Sequence, residues 1–143
     1  MIDREYDEAF LDMAEAAAVK GTCLRLKVGC IIVRECEDHG EPHIVGIGFN
    51  TSPEGTPTCQ KEHECLKNDE GRCIRTIHAE QMAILNSPKE FLKGATLYST
   101  HEPCEHCAKV IQHVGIKDVV YKHPYKNSYN THFRENVRYT QWV

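Results

Sequence analysis

The sequence lacks any apolar run approaching the roughly 20 residues that a membrane-spanning helix requires, so no helical membrane segment is expected. Its opening residues, Met1-Ile2-Asp3-Arg4-Glu5, have neither the basic nor the apolar region of a secretory signal, and a cytosolic (cytoplasmic) location is the expectation. It has no block of lysines or arginines, and 17 basic against 21 acidic residues leave a formal net charge of −4. A polynucleotide partner usually needs a basic face, so none is expected. No internal repeat or low-complexity segment interrupts the chain, which excludes solenoid architectures. Its 143 residues suffice for one core and are short for two, so residues 1–143 are read as a single domain.

Cysteine, by contrast, is plentiful, with eight residues. In a small secreted chain these would suggest a disulfide framework. With no signal segment and with histidines close by, they read as metal ligands in a reducing compartment.

Periodicity gives alternating helices and strands. From about Arg4 to Lys20, the residues Tyr6, Phe10, Met13, Ala14, Ala17 and Ala18 follow helical spacing, and Gly21 ends the pattern. Val28–Val33 and His43–Phe49 are short β-branched runs separated by turn residues and predict a hairpin. A helix is expected over Arg75–Leu85, carrying His78 and Glu80, and a strand over Ala95–Ser99. Cys107–His113 reads as the next helix, capped by Gly115, and Val119–Tyr121 as a strand. Such alternation implies a partly parallel sheet flanked by helices, with ligands beyond the carboxyl ends of strands.

Two segments carry chemistry: His78-Ala79-Glu80 and Pro103-Cys104-Glu105-His106-Cys107. Alone, the first is a common helical tripeptide, and the Cys-x-x-Cys pair of the second could be a redox couple or half of a structural zinc knuckle. Together, in this order and with one strand between, they supply an imidazole and two thiolates for zinc. The fourth corner stays open to water, as a catalytic zinc requires. Glu80, two residues past the ligand His78, is placed to move protons without touching the metal. The thiolates need stabilisation, which a helix start at Pro103-Cys104 would provide. His101 and His106 flank the ligands, but a further histidine would close the open corner. Both are read as groups that brace the ligands or meet solvent.

The segment 51–73 is too long to be a structureless loop in a compact domain. It contains Cys59, His63, Cys65 and Cys73. A second, structural zinc held by Cys23, Cys59, Cys65 and Cys73, with His63 as the substitute for one cysteine, could staple it in place of an apolar core. Cys30 and Cys36 are read as small buried hydrophobes.

Thr22–Cys30, Gly46–Asn50, Cys73–Glu80 and Thr100–Cys104 occur in an order that resembles the deoxycytidylate deaminases of the zinc-dependent cytidine/deoxycytidylate deaminase superfamily. The resemblance runs from the first helix to about Tyr125, and it includes the branch of late-competence deaminase-like proteins with cysteines around the loop. It implies an α/β/α sandwich with a five-stranded mixed sheet, a homo-hexamer, and hydrolytic deamination of dCMP to dUMP. It also implies that Asn50 meets the sugar hydroxyl and that Tyr125 lies beside substrate. Arg25 is a candidate for the 5′-phosphate, since a guanidinium offers paired donors. Each has a plainer reading: Asn50 as a turn cap, Tyr125 as half-buried surface, Arg25 as a solvated cation. Many relatives read Gly-Tyr-Asn-Gly where this chain reads Gly48-Phe49-Asn50-Thr51, which alters a region used for the regulatory nucleotides dCTP and dTTP. Alternative substrates are dCTP, a riboflavin precursor or a tRNA adenosine. The reading from another class is a non-catalytic, zinc-stapled nucleotide-binding module.

Overall fold

The computed structural model describes residues 4–38, 40–125 and 129–143, so the opening Met1-Ile2-Asp3 of the signal-segment argument lies outside the described residues. Helix α1 spans Arg4–Ala18. It buries Phe10, Leu11, Ala14 and Ala18, one stripe at helical spacing. It stops two residues short of the expected Lys20, because Val19, Lys20 and Gly21 turn back to carbonyls only three residues earlier, tightening the chain out of the helix.

Strands β1 (Gly29–Glu35) and β2 (Pro42–Phe49) form the expected antiparallel hairpin, with a register shift between Ile32 and Val33. Cys36 closes its turn through backbone bonds to Gly40 and Glu41 and is half-buried, not a core residue as expected. Strand β3 (Thr96–His101) pairs antiparallel with β1, and β4 (Asp118–His123) and β5 (Arg138–Gln141) add in parallel, giving the order β2-β1-β3-β4-β5. The five-stranded mixed sheet implied by the resemblance is therefore present. Strand β5 had no signature of its own, being a four-residue polar edge that lacks the apolar run of a buried strand.

Strand alternation divides the core into two layers. Ile31, Val33, Tyr98 and Val120 meet Phe10, Leu11 and Ala14 of α1. Cys30, Ile32, Leu97 and Val119 point the other way, against helices α3 (Ala79–Leu85) and α4 (Glu105–Val114). Tyr98 is fully buried, and its hydroxyl donates to Asp7 Oδ1 at 2.6 Å, which gives α1 one polar anchor in an apolar interface. The 51–73 segment is structured: α2 (Cys59–Glu62) is capped by Thr58 Oγ1, and Asn68 Oδ1 accepts from the Glu70 and Arg72 amides. No helix among the described residues is long and apolar enough to cross a membrane.

Two glycine contacts set the spacing of the layers. A Cβ at Gly29 would lie 1.9 Å from the Ala14 carbonyl oxygen of α1. One at Gly48 would lie 2.1 Å from the Ala79 carbonyl oxygen and 2.4 Å from the Ala83 amide nitrogen. Helix α3 thus rests on bare β2 backbone, and any side chain at Gly48 lifts its first turn. Gly48→Val is expected to cost about 3 kcal/mol or more through overpacking. It should also lower zinc content, since His78 immediately precedes α3. A wild-type urea midpoint with unchanged zinc would contradict this packing account.

Candidate active site

The helix expected from Arg75 begins only at Ala79, one residue past His78. His78 occupies the N-cap of α3 with extended backbone, φ −64° and ψ 146°, and only Glu80 lies within the helix. The extended His78 follows from the chain before it: Ile77 N donates to Thr51 O at 2.8 Å, pairing this segment with the end of β2. Cys104 is likewise the N-cap of α4, placing Pro103 outside the helix and not at its first position. Gly115 caps the far end of α4 in the left-handed conformation, as its position suggested.

These two helix starts converge. His78 Nδ1 lies 3.2 Å from Cys107 Sγ and 3.5 Å from Cys104 Sγ, and the two sulfurs are 3.9 Å apart. Tetrahedral zinc with ordinary bond lengths separates two sulfurs by about 3.8 Å and a nitrogen from a sulfur by about 3.5 Å. The triangle fits that ion, and among the described residues no fourth ligating group joins it. Hydrogen bonding from Cys107 holds the Cys104 thiol down to about 3, against the opposing effect of burial. The same bond and burial push Cys107 up, and the contact with Cys104 raises His78. Glu80 is only 5% exposed. Burial raises its carboxyl pKa, despite His78 nearby.

A second group assembles in the 51–73 segment. Cys23, Cys65 and Cys73 place their sulfurs within 4.8 Å of one another, and Cys59 reaches the group at 3.6 Å from Cys73. Cys23 and Cys65 are 3.8 Å apart. His63, the proposed substitute, does not join them; it is the exposed left-handed C-cap of α2, with φ 60°. Burial opposes the Cys73 thiolate, but bonds from the Arg75 backbone and the Cys59 and Cys65 thiols bring it down to about 7. Burial and the Cys73 contact push Cys59 up to about 11.

A cavity of about 1550 Å³ is lined by His78, Glu80 and Cys104 together with Asn50, Arg25 and Tyr125. Asn50 is buried, accepting from Val28 N at 2.8 Å and donating to Leu26 O at 2.7 Å, so it braces the 26–28 segment and retains one amide hydrogen. Arg25 Nη1 donates to Gly71 O at 2.9 Å. His101 and His106 also line the cavity outside the ligand triangle, as expected: His101 Nδ1 lies 2.8 Å from Thr100 Oγ1, and His106 is exposed near Glu105. Thr22 Oγ1 donates to Thr51 Oγ1 at 3.2 Å, and Phe49 lies under Lys20 Nζ at 5.8 Å. Sequence reasoning missed Glu102, Arg134, Asn130 and Arg72 near the cavity. Glu102 directly before Pro103-Cys104 was the one usable clue, whereas Arg134 reaches it from a distant segment.

A mixed sheet between helices, with an open three-ligand metal triangle beside a buried acid, defines a metal-dependent α/β/α hydrolase. Residues 4–123 match the model of the cytidine and deoxycytidylate deaminase zinc-binding region, and the chain belongs to this family. It is 36% identical to the deoxycytidylate deaminase of Mycobacterium phage D29, covering 82% of this chain and 94% of that one. It is 39% identical to ComE operon protein 2 of Bacillus subtilis (strain 168), over 85% of this chain, but spans only 61% of that protein's length. The dCMP deaminase of cyanophage S-TIM5, solved in complex with dCMP and dUMP, superposes with a TM-score of 0.80 at 28% identity over 99% of this chain and 100% of that one.

The two loop thiols should separate chemically. In chelator-treated protein, Cys73 alkylation should rise through a midpoint near pH 7, because its thiolate forms above that pH, whereas Cys59 should stay protected up to about pH 11. Peptide mapping reads both, and equal titration near the ordinary thiol value would refute the assigned environments.

Proposed function

We propose that the chain catalyses hydrolytic, zinc-dependent deamination of dCMP to dUMP with release of ammonia, a reaction that supplies dUMP for dTMP synthesis. The observation that carries this reading is a cavity that reaches His78 and Cys104 of the triangle, the buried Glu80, and Asn50, Arg25 and Tyr125. The likeness to a cyanophage enzyme solved with dCMP and dUMP supports the choice of nucleotide.

His78, Cys104 and Cys107 would hold the ion. Zinc in such a set supplies a Lewis acid that makes water nucleophilic near neutral pH. Glu80 accepts one proton of the attacking water at a carboxylate oxygen and passes it to ring N3, then takes the second from the hydroxyl now on C4 and delivers it to the amine, which leaves as ammonia. Its raised pKa suits a group that must hold the proton between transfers. The spare amide hydrogen of Asn50 is available to the sugar hydroxyl, and Tyr125 flanks the nucleotide. Arg25 retains donors beyond its bond to Gly71 O, enough to meet the 5′-phosphate at the rim.

A second zinc, held by Cys23, Cys59, Cys65 and Cys73, would be structural, its thiolates closing the tetrahedron without a place for water. The same reading extends to a cytosolic homo-hexamer, with any dCTP or dTTP response altered at Phe49 and Thr51.

Glu80→Ala should retain the zinc complement of the wild type and lose about 10²–10⁴-fold or more in dCMP turnover, read by cytosine absorbance and ammonia release. Wild-type rates from that variant would overturn the assigned role, and dCMP binding without ammonia release from the wild type would favour a binding module. Zinc analysis should give two ions per chain, falling to one in Cys65→Ser. A wild-type value of one would remove the second site.

A further inference from the structure

The segment before β5 reaches back to Glu102, a cavity-lining residue that directly precedes Pro103 and Cys104. Glu102 Oε2 accepts from Arg134 Nη2 at 2.9 Å, with the two side chains only 10% and 15% exposed. The other carboxylate oxygen, Oε1, accepts from the backbone amide of Tyr125 at 3.2 Å. The Tyr125 carbonyl in turn accepts from the Asn130 side-chain amide, and Tyr125 and Asn130 both line the cavity. Arg134 is fixed from behind, its guanidinium carbon 3.7 Å from the ring centre of Tyr139 on β5. One carboxylate therefore ties the cavity wall to the metal-binding turn, with Pro103 and Cys104 following it in the chain.

A buried ion pair adds little net stability compared with an apolar pair of the same size, so its consequence lies in its location. Glu102 itself lines the cavity. Uncompensated, its charge in a poorly solvated wall would repel an anionic ligand; Arg134 cancels that charge while leaving both carboxylate oxygens usable as acceptors. We propose that Glu102 and Arg134 are a positioning pair: Glu102 holds the Tyr125 wall against the catalytic turn, and Arg134 neutralises Glu102 so that the cavity accepts a nucleotide phosphate. This rests on the nucleotide reading above. On this account the pair governs how tightly the nucleotide binds, and the chemical step, which belongs to Glu80, is left nearly intact.

The test uses the zinc-loaded full chain. Arg134→Met removes the cation and keeps an apolar group over Tyr139; it should raise KM for dCMP about tenfold or more while kcat changes less than about threefold. Calorimetry in a Glu80→Ala background should show dCMP binding weakened more than deoxycytidine binding, because only dCMP carries the phosphate. The double variant Glu102→Gln/Arg134→Met, neutral at both positions, should recover most of the lost affinity, and Arg134→Lys should stay close to wild type. Hydrogen exchange reads the other half without any substrate: Glu102→Ala should lower protection of the Tyr125 amide about tenfold or more, and Glu102→Gln much less. Equal losses for dCMP and deoxycytidine, no recovery in the double variant, or an unchanged Tyr125 amide would overturn the proposal. A variant that does not fold is identified by its zinc content, and Arg134→Lys and Glu102→Gln then decide. If the wild type neither binds nor turns over dCMP, the nucleotide reading fails instead, and the Tyr125 amide still reports on Glu102 as a brace.

Discussion

The seating of helix α3 on the bare backbone of β2 is the constraint on which the rest of the site depends. With no side chain at Gly48, the first turn of α3 comes within van der Waals reach of the strand, and that height places His78 and Glu80 level with the turn leaving β3. The opposite half of the triangle is set by β3 feeding Pro103 and Cys104 into α4. Ligand distances that suit zinc within a few tenths of an ångström thus follow from two strand–helix junctions packed on one sheet, and not from flexible side chains searching for a partner.

The site concentrates acidic groups where water is scarce, and each is compensated differently. The Cys104 thiolate has the hydrogen bond from Cys107, the imidazole of His78 and the amino end of α4. At Glu80 the His78 imidazole and a bond from Cys107 oppose the effect of burial without cancelling it, and its pKa is raised. Glu102 Oε2 accepts from the Arg134 guanidinium at 2.9 Å. Two carboxylates beside the His78–Cys104–Cys107 triangle thus sit in different environments, Glu80 raised by burial and Glu102 paired with a guanidinium.

The residues that converge at the triangle were legible because they lie in short, ordered segments: His78-Ala79-Glu80 and Cys104 to Cys107 are each contiguous, and zinc tolerates few other residue types. The loop cysteines were legible for a similar reason, since four sulfurs in or beside a polar segment have little else to do. His63 looked as good as any of them by composition. Its left-handed backbone points it out of the cluster, and nothing local encodes that. The helix over Arg75–Leu85 was drawn too long because periodicity cannot see that Ile77 is paired to Thr51, a long-range bond that keeps the chain extended until His78. Strand β5 and Arg134 were illegible in the same way: a short polar edge and a lone arginine acquire meaning only when the sheet brings them alongside β4 and Glu102.

The two cysteine groups divide the labour of stability as well as of chemistry. The sheet and helices α1, α3 and α4 bury an apolar layer on each face, whereas the 51–73 segment buries little beyond Cys59 and Ser52. Yet that segment borders the cavity through Arg72 and Cys73 and leads directly into Ile77 and His78. Whatever fixes the sulfurs therefore also fixes the approach to the triangle, because the last sulfur, Cys73, lies only a few residues before His78. The three thiols of this polar loop gather with Cys23 where there is little apolar surface to bury. In this fold the entropy of that loop is coupled to the geometry of the active site through a single short stretch of extended chain.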